Sequence, residues 1–274
     1  MSQLKSATHD MPFWAKLLHK LGKPVAEQFE TIQTVFSLFS DLFNCAVKNQ
    51  WRRHEIYAAI VQIGIGSIPI IVIATTFAGL VITNEMAWHM NEALHTITLM
   101  PGFTGQFILR ELGIAIPALL LVSKVGAAIT AEIGTMKVTD QLDALKLLGI
   151  QPVSYLVFPR FIASILSTAC LTLIAIIVTL SCALSVAVIR YNFSFLEYLN
   201  ALRHFVGAGD VFCALVKGSV FGAVIPVISC AYGFRCKGGA EGVGRATTDS
   251  VVASTIAIIV LDFVLTYFFT LVLS

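Results

Sequence analysis

Apolar and polar positions alternate along this chain in long blocks rather than in short periods. Runs of about twenty or more predominantly apolar residues lie at about 56–82, 107–133, 157–189, 210–234 and 248–273. A helix needs about 20 such residues to cross the hydrocarbon core of a bilayer. The runs are far too long, and too free of two-residue alternation, for barrel strands. The pattern predicts an all-α integral membrane fold with five transmembrane helices. Gly64, Gly66, Pro69, Gly113, Pro117, Gly222 and Pro226 fall inside the runs. Membrane helices tolerate such residues, and the small ones let helices pack closely.

Two shorter segments have amphipathic patterns. Over about 25–48, Phe29, Ile32, Phe36, Phe39 and Phe43 recur at helical spacing opposite Glu27, Glu30, Thr34, Ser37, Asp41 and Lys48. This pattern suits a helix lying in the membrane surface, or one packed on the bundle. Between the second and third runs, Thr139 or Asp140 can cap a short helix, and Asp143 suits its first turns. Gly149 and Pro152 end it, and Leu142, Leu145 and Leu148 form one apolar face. Such a helix suits docking by a partner, or lying on the bilayer.

Composition agrees with the pattern. The 274 residues are 57% hydrophobic and 12% charged, with a mean hydropathy of +0.85. Soluble domains carry about 25% charged residues. No hydrophilic block is large enough to fold apart, so residues 1–274 read as a single domain. The first long run begins near Ile56, too far from Met1 for a signal-peptide core, so insertion is expected to rely on the spans. The six cysteines form no C-x-x-C pair and read as packing residues.

The net charge of +2 matters less than its distribution. Lys5, Lys16, Lys20, Lys23, Lys48, Arg52 and Arg53 precede the first span. Lys137 and Lys146 lie in the second connection, and Arg235, Lys237 and Arg245 in the fourth. The first connection has neither Lys nor Arg. The positive-inside rule then places the N-terminus and the second and fourth connections in the cytoplasm, and the C-terminus outside. Because the positive charge follows topology, it implies no nucleic-acid surface.

Charged residues within spans are costly and are functional candidates by default. Arg110 and Glu111 open the second span, Lys217 lies in the fourth and Asp262 in the fifth. Topology puts them all in the outer half or near the midplane, with Glu111 near the outer surface. Lys217 can therefore pair with Asp262 or Glu111. Such a pair either fastens helices or lines a path for a charged or zwitterionic substrate, and both readings stay open. His89 and His95 are a weak metal signal, and no metal or catalytic motif appears. The glycine-rich stretch Lys237–Thr248 lacks G-x-x-x-x-G-K-[ST] and reads as a tight turn before the fifth span. No nucleotide-hydrolysing motif is present, so any ATP would be bound by a partner subunit and no cofactor is expected on this chain.

Three separated motifs resemble the MlaE (YrbE) permease family. The first is Leu109-Arg110-Glu111-Leu112-Gly113. The second runs from Glu132 to Leu145, continuing through Leu148-Gly149-Ile150-Gln151-Pro152 to Pro159-Arg160. The third is Gly238-Gly239-Ala240-Glu241-Gly242-Val243-Gly244-Arg245-Ala246-Thr247-Thr248, followed by Val251-Val252 and Leu261-Asp262-Phe263. The resemblance covers about residues 25–272. The chain departs from the pattern at Ile114, where proline is expected, and at Ser123-Lys124-Val125, where Gly-Arg-Ala is typical.

The resemblance implies a non-catalytic permease subunit of an ATP-driven transporter for phospholipid or a related lipid, in the bacterial inner membrane. It implies a homodimer on cytoplasmic ABC ATPase subunits, with a periplasmic MCE-domain protein and sometimes a STAS-domain subunit. It also implies an N-terminal interfacial helix and a coupling helix at about 135–148. Glu132, Gly134, Thr135, Lys137, Thr139, Asp140, Gln141, Asp143 and Leu145 are the ATPase-coupling candidates. Arg110, Glu111, Lys217 and Asp262 are candidates for substrate contact or gating. Two competing readings remain: a stand-alone secondary transporter relaying protons through Asp262 and Lys217, and an intramembrane enzyme using Glu111 or Asp262 as a base.

Overall fold

The computed structural model describes residues 30–31, 33–42, 44–45 and 53–273. Among these the chain is helical apart from short connecting turns, with no strand, and five helical stretches are long and apolar enough to cross a membrane. The chain is an integral membrane protein of five spans.

The first span is α1 (Arg53–Ile63), a 3₁₀ turn (Ile65–Ser67) and α2 (Ile68–Leu94). Pro69, in the first turn of α2, has no N–H to continue the ladder, so the regular helix restarts there. At Gly64 the backbone passes so close to the third span that a Cβ would stand 3.0 Å from Ser167 Oγ.

The second span is α3 (Met100–Phe107), α4 (Gly113–Leu121) and α5 (Ala127–Val138). They are joined by π turns at Ile108–Leu112 and Val122–Gly126. Pro117 sits inside α4 and withholds a donor from the preceding turn. The sequence departures at Ile114 and Lys124 fall beside and within these π turns. The span begins at Met100 rather than near 107, so Glu111 lies well inside it rather than near its end.

The short helix after the second span is α6 (Gln141–Leu147), a correction to the 135–148 expectation. Thr135 to Val138 instead complete α5. Asp140 holds a left-handed φ of 58° and makes no side-chain cap, and Thr139 Oγ1 donates back to the Thr135 carbonyl. A second correction concerns the apolar face. Leu142 is buried and Leu145 packs on the core, but Leu147 and Leu148 are 89% and 75% exposed. Gly149, at φ 75°, ends the helix as expected.

The third span is a π turn (Val153–Val157) and α7 (Phe158–Tyr191), the fourth α9 (Ala208–Phe234), and the fifth α10 (Gly239–Leu273). The turn before the fifth span is confined to about 235–238, because helix is already established at Gly239. Between the third and fourth spans lies α8 (Phe195–Phe205), which the hydropathy pattern leaves as connection. Its signal is Ser194-x-x-Glu197, whose Glu197 carboxylate accepts from the Ser194 N–H at 2.8 Å.

α7 and α9 form the centre of the bundle, and α2, α5 and α10 pack around them. Gly222 and Gly218 of α9 face Ser164, Thr168 and Thr172 of α7. A Cβ on Gly222 would sit 2.7 Å from the Ser164 carbonyl. This close approach replaces the hydrophobic drive that lipid cannot supply. Buried hydroxyls such as Thr172 and Thr179 donate to carbonyls four residues back on α7.

A smaller core of Ala87, Met100, Ile108, Ala183, Ala187 and Tyr198 seats α8 at the end of the bundle bearing the first and third connections. Burial pushes the Tyr198 phenol up to about 12. In the N-terminal 25–48 segment, residues 25–29, 32, 43 and 46–48 lie outside the described residues. The described part is helical and packs on the core through Leu38, Leu42 and Cys45. Phe39 meets Phe161 edge-on at 6.2 Å.

Candidate functional site

Three spans bring their charges together at one point. Lys217, on α9, is 2% exposed. Its ammonium donates to Asp262 Oδ1 at 2.9 Å, to Thr266 Oγ1 at 2.6 Å and to the Arg110 carbonyl at 2.8 Å. Glu111 Oε1 is a fourth neighbour at 3.4 Å and also accepts from the Thr266 hydroxyl at 2.9 Å. Glu111 and the Arg110 carbonyl are presented by the π turn Ile108–Leu112. Measured along their helices, Glu111, Lys217 and Asp262 lie roughly 15 Å from the same end of the bundle. The alternative pairings expected from the sequence both occur, on one ammonium. Thr266, one turn after Asp262, joins them; its i,i+4 spacing from Asp262 is the signal that would have found it.

An ammonium has three protons to donate. The three shorter contacts use all of them. With both carboxylates ionised the cluster carries a net charge of −1, and with one protonated it is neutral. It is therefore a closed network that holds the second, fourth and fifth spans together, with no spare cationic donor.

Arg110 faces elsewhere. Its Nε donates to Asp210 Oδ1 at 2.8 Å, and Asp210 Oδ2 accepts from the Gly207 N–H at 2.9 Å. Asp210 is buried in the first turn of α9. The sequence reading omitted it because it sits at the edge of an apolar run, where an acid passes as an ordinary helix start. The Gly207-x-x-Asp210 spacing is the signal that would have found it.

The coupling candidates divide into two groups at the other end of the bundle. Glu132 is engaged within the chain, with Oε1 accepting from Arg160 at 2.5 Å. Gly134 is buried against Cys236 and Val243. Lys137 and Lys146 both bond Asp143, at 3.2 and 3.1 Å. These bonds, Lys146 first, hold the Asp143 carboxyl below the usual range. Thr135, Thr139, Asp140 and Gln141 are exposed. Together with Leu147 and Leu148 they form an open, mixed polar and apolar surface.

Comparison with known proteins agrees with this architecture. The family model described as Permease MlaE matches residues 56–268. A probable ABC transporter permease protein of Rickettsia felis is 36% identical over 238 residues, covering 83% of this chain and 90% of the relative. One from Rickettsia prowazekii is 34% identical over 260 residues, covering 93% and 98%. One from Synechocystis is 34% identical over 241 residues, covering 87% and 90%. A further relative is the Arabidopsis thaliana chloroplast protein trigalactosyldiacylglycerol 1, 34% identical over 203 residues, or 74% of this chain and 58% of that protein. From the charged motif of the second span to the one in the fifth, this chain belongs to the MlaE permease family.

Proposed function

We propose that this chain is the membrane-embedded, non-catalytic subunit of an ATP-driven transporter of phospholipid or a related lipid. One observation carries the reading. The second span joins the exposed surface around α6 at one end to the Lys217 network at the other, within a single helical stretch, Met100–Val138. A push on α6 is thereby transmitted along α5 and α4 to the π turn that holds Glu111. The relatives named as ABC transporter permeases support an ATPase partner. The chloroplast relative named for trigalactosyldiacylglycerol supports a lipid as cargo.

In this reading two copies dimerise in a bacterial inner membrane, with the N-terminus and α6 in the cytoplasm and the C-terminus in the periplasm. ABC ATPase subunits dock on α6, an MCE-domain protein receives or delivers lipid outside, and a STAS-domain subunit joins on the cytoplasmic side. Leu147 and Leu148 are the apolar anchors for the ATPase, and Thr139, Asp140 and Gln141 are the polar rim. The Lys217 network is the gate. It holds three spans closed near the outer side, and opening it requires its carboxylates and ammonium to exchange partners.

The test is reconstitution of the complex with its ATPase in nanodiscs. ATP hydrolysis rises with phospholipid, and the rise is lost when Leu147 and Leu148 are both replaced by serine. Failure to recover any ATPase with the chain, or hydrolysis indifferent to lipid, overturns the proposal.

A further inference from the structure

Lys124, like Lys217, lies well inside a span, and it is the chemical opposite of Lys217. It lies in the π turn Val122–Gly126, about 12 Å along the second span from Glu132 and about 20 Å from Glu111. Its side chain is exposed on the flank of the bundle. No carboxylate approaches it among the described residues; its contact is the Gly66 carbonyl in the 3₁₀ turn of the first span. Two irregular turns in neighbouring spans thus meet around one ammonium. Two buried hydroxyls on the inner side of the same break, Ser67 and Ser167, have no hydrogen-bond partner among the described residues. The chain leaves this polar break incomplete.

A cation at membrane depth needs a counter-anion or water. One proton of Lys124 is spent on a neutral carbonyl, and two remain free. Val61 and Ile65, exposed on the same stretch of the first span, supply an apolar surface beside it. An exposed ammonium with two free donors, set among apolar side chains within the bilayer, matches a phosphodiester that carries acyl chains. The Lys217 network cannot serve that ligand, because its donors are saturated and its net charge is zero or negative.

We infer that Lys124, with the broken first span at Gly66, is the contact for the phosphate of a phospholipid passing through the membrane. This rests on the lipid-transport reading above. The phosphate accepts from the two free protons of the Lys124 ammonium, and its acyl chains lie along Val61 and Ile65. Lys124 is thus a binding residue, distinct from the gate at Lys217.

The intact complex with its ATPase is loaded in detergent with phosphatidylglycerol or with diacylglycerol of the same acyl chains, and bound lipid is counted by native mass spectrometry. Wild type prefers phosphatidylglycerol; Lys124→Gln loses about tenfold of that preference, the order expected of one charge-assisted hydrogen bond, and Lys124→Arg keeps it. A folded Lys124→Gln complex with the wild-type preference overturns the Lys124 site and leaves the transport reading intact. A wild-type complex that retains neither lipid and hydrolyses ATP without responding to lipid overturns that reading itself.

Excess inorganic phosphate leaves bound phosphatidylglycerol in place; its displacement by free phosphate overturns the lipid as occupant. A second measurement does not depend on the folding of Lys124→Gln. A photoreactive residue replacing the exposed Ile65 captures phosphatidylglycerol in preference to diacylglycerol, and equal capture of both overturns the site.

Discussion

Lys217 and Lys124 are both lysines within membrane spans, and their surroundings differ completely. Lys217 is buried, its protons taken by a carboxylate, a hydroxyl and a carbonyl, with a second carboxylate beside it. Lys124 is exposed and meets one carbonyl. The first has its chemistry satisfied inside the chain and links three spans. The second leaves its chemistry open to another molecule. The same division recurs around α6, where Leu142 is consumed by the core while Leu147 and Leu148 face outward. A charge or a leucine in the sequence does not say which kind it is; its neighbours do.

This contrast breaks first at Lys217. Lys217→Met leaves two carboxylates facing each other without their cation, and removing one partner of a buried pair costs about 3–5 kcal/mol. Thermal unfolding in detergent measures it, and adding Glu111→Gln and Asp262→Asn to the variant recovers much of the loss. If Lys217→Met unfolds like wild type, the network is not a fastener. Leu142→Ala comes next, at about 3 kcal/mol for truncating a buried leucine. Asp210→Ala follows at about 1–2 kcal/mol, since it loses a helix-start contact to Gly207 and a bond to a half-exposed Arg110. Urea titration of each variant ranks the two.

The open positions behave differently. Serine at both Leu147 and Leu148 changes stability by no more than about 0.5 kcal/mol, while lipid-stimulated ATP hydrolysis collapses. Equal stability combined with full coupling would remove these leucines from the docking surface. The smallest effect is at Asp143, whose folded pKa lies below the ordinary value of 3.8. Its contribution to α6 is complete above that value and disappears as pH falls through the folded pKa. Hydrogen exchange across Gln141–Leu147 at a series of acid pH values reads this out, and Asp143→Asn removes the dependence.

The five spans were legible because burial in lipid demands long apolar runs, and the Lys217 pairing was legible because charges at equal depth must find one another. The helix ends were not. Backbone hydrogen bonding continues past the ends of the apolar runs, so residues 100–106 and 239–247 are helical where hydropathy ends the span. α8 was hidden because its amphipathic face is seated by Tyr198 against residues far away in sequence. The π turns were hidden because a shift from i,i+4 to i,i+5 bonding leaves no mark in the hydropathy pattern. Asp210 required knowing where Arg110 turns once the π turn has rotated it away from Lys217.

The seam between α7 and α9 has a mechanical consequence. With hydrogen in place of a methyl at Gly218 and Gly222, the two backbones interlock so tightly that a sliding step would drive a neighbouring side chain into the Ser164 carbonyl. These helices therefore behave as a stator. Any rearrangement of the bundle must keep this pair in register and move the remaining spans around it.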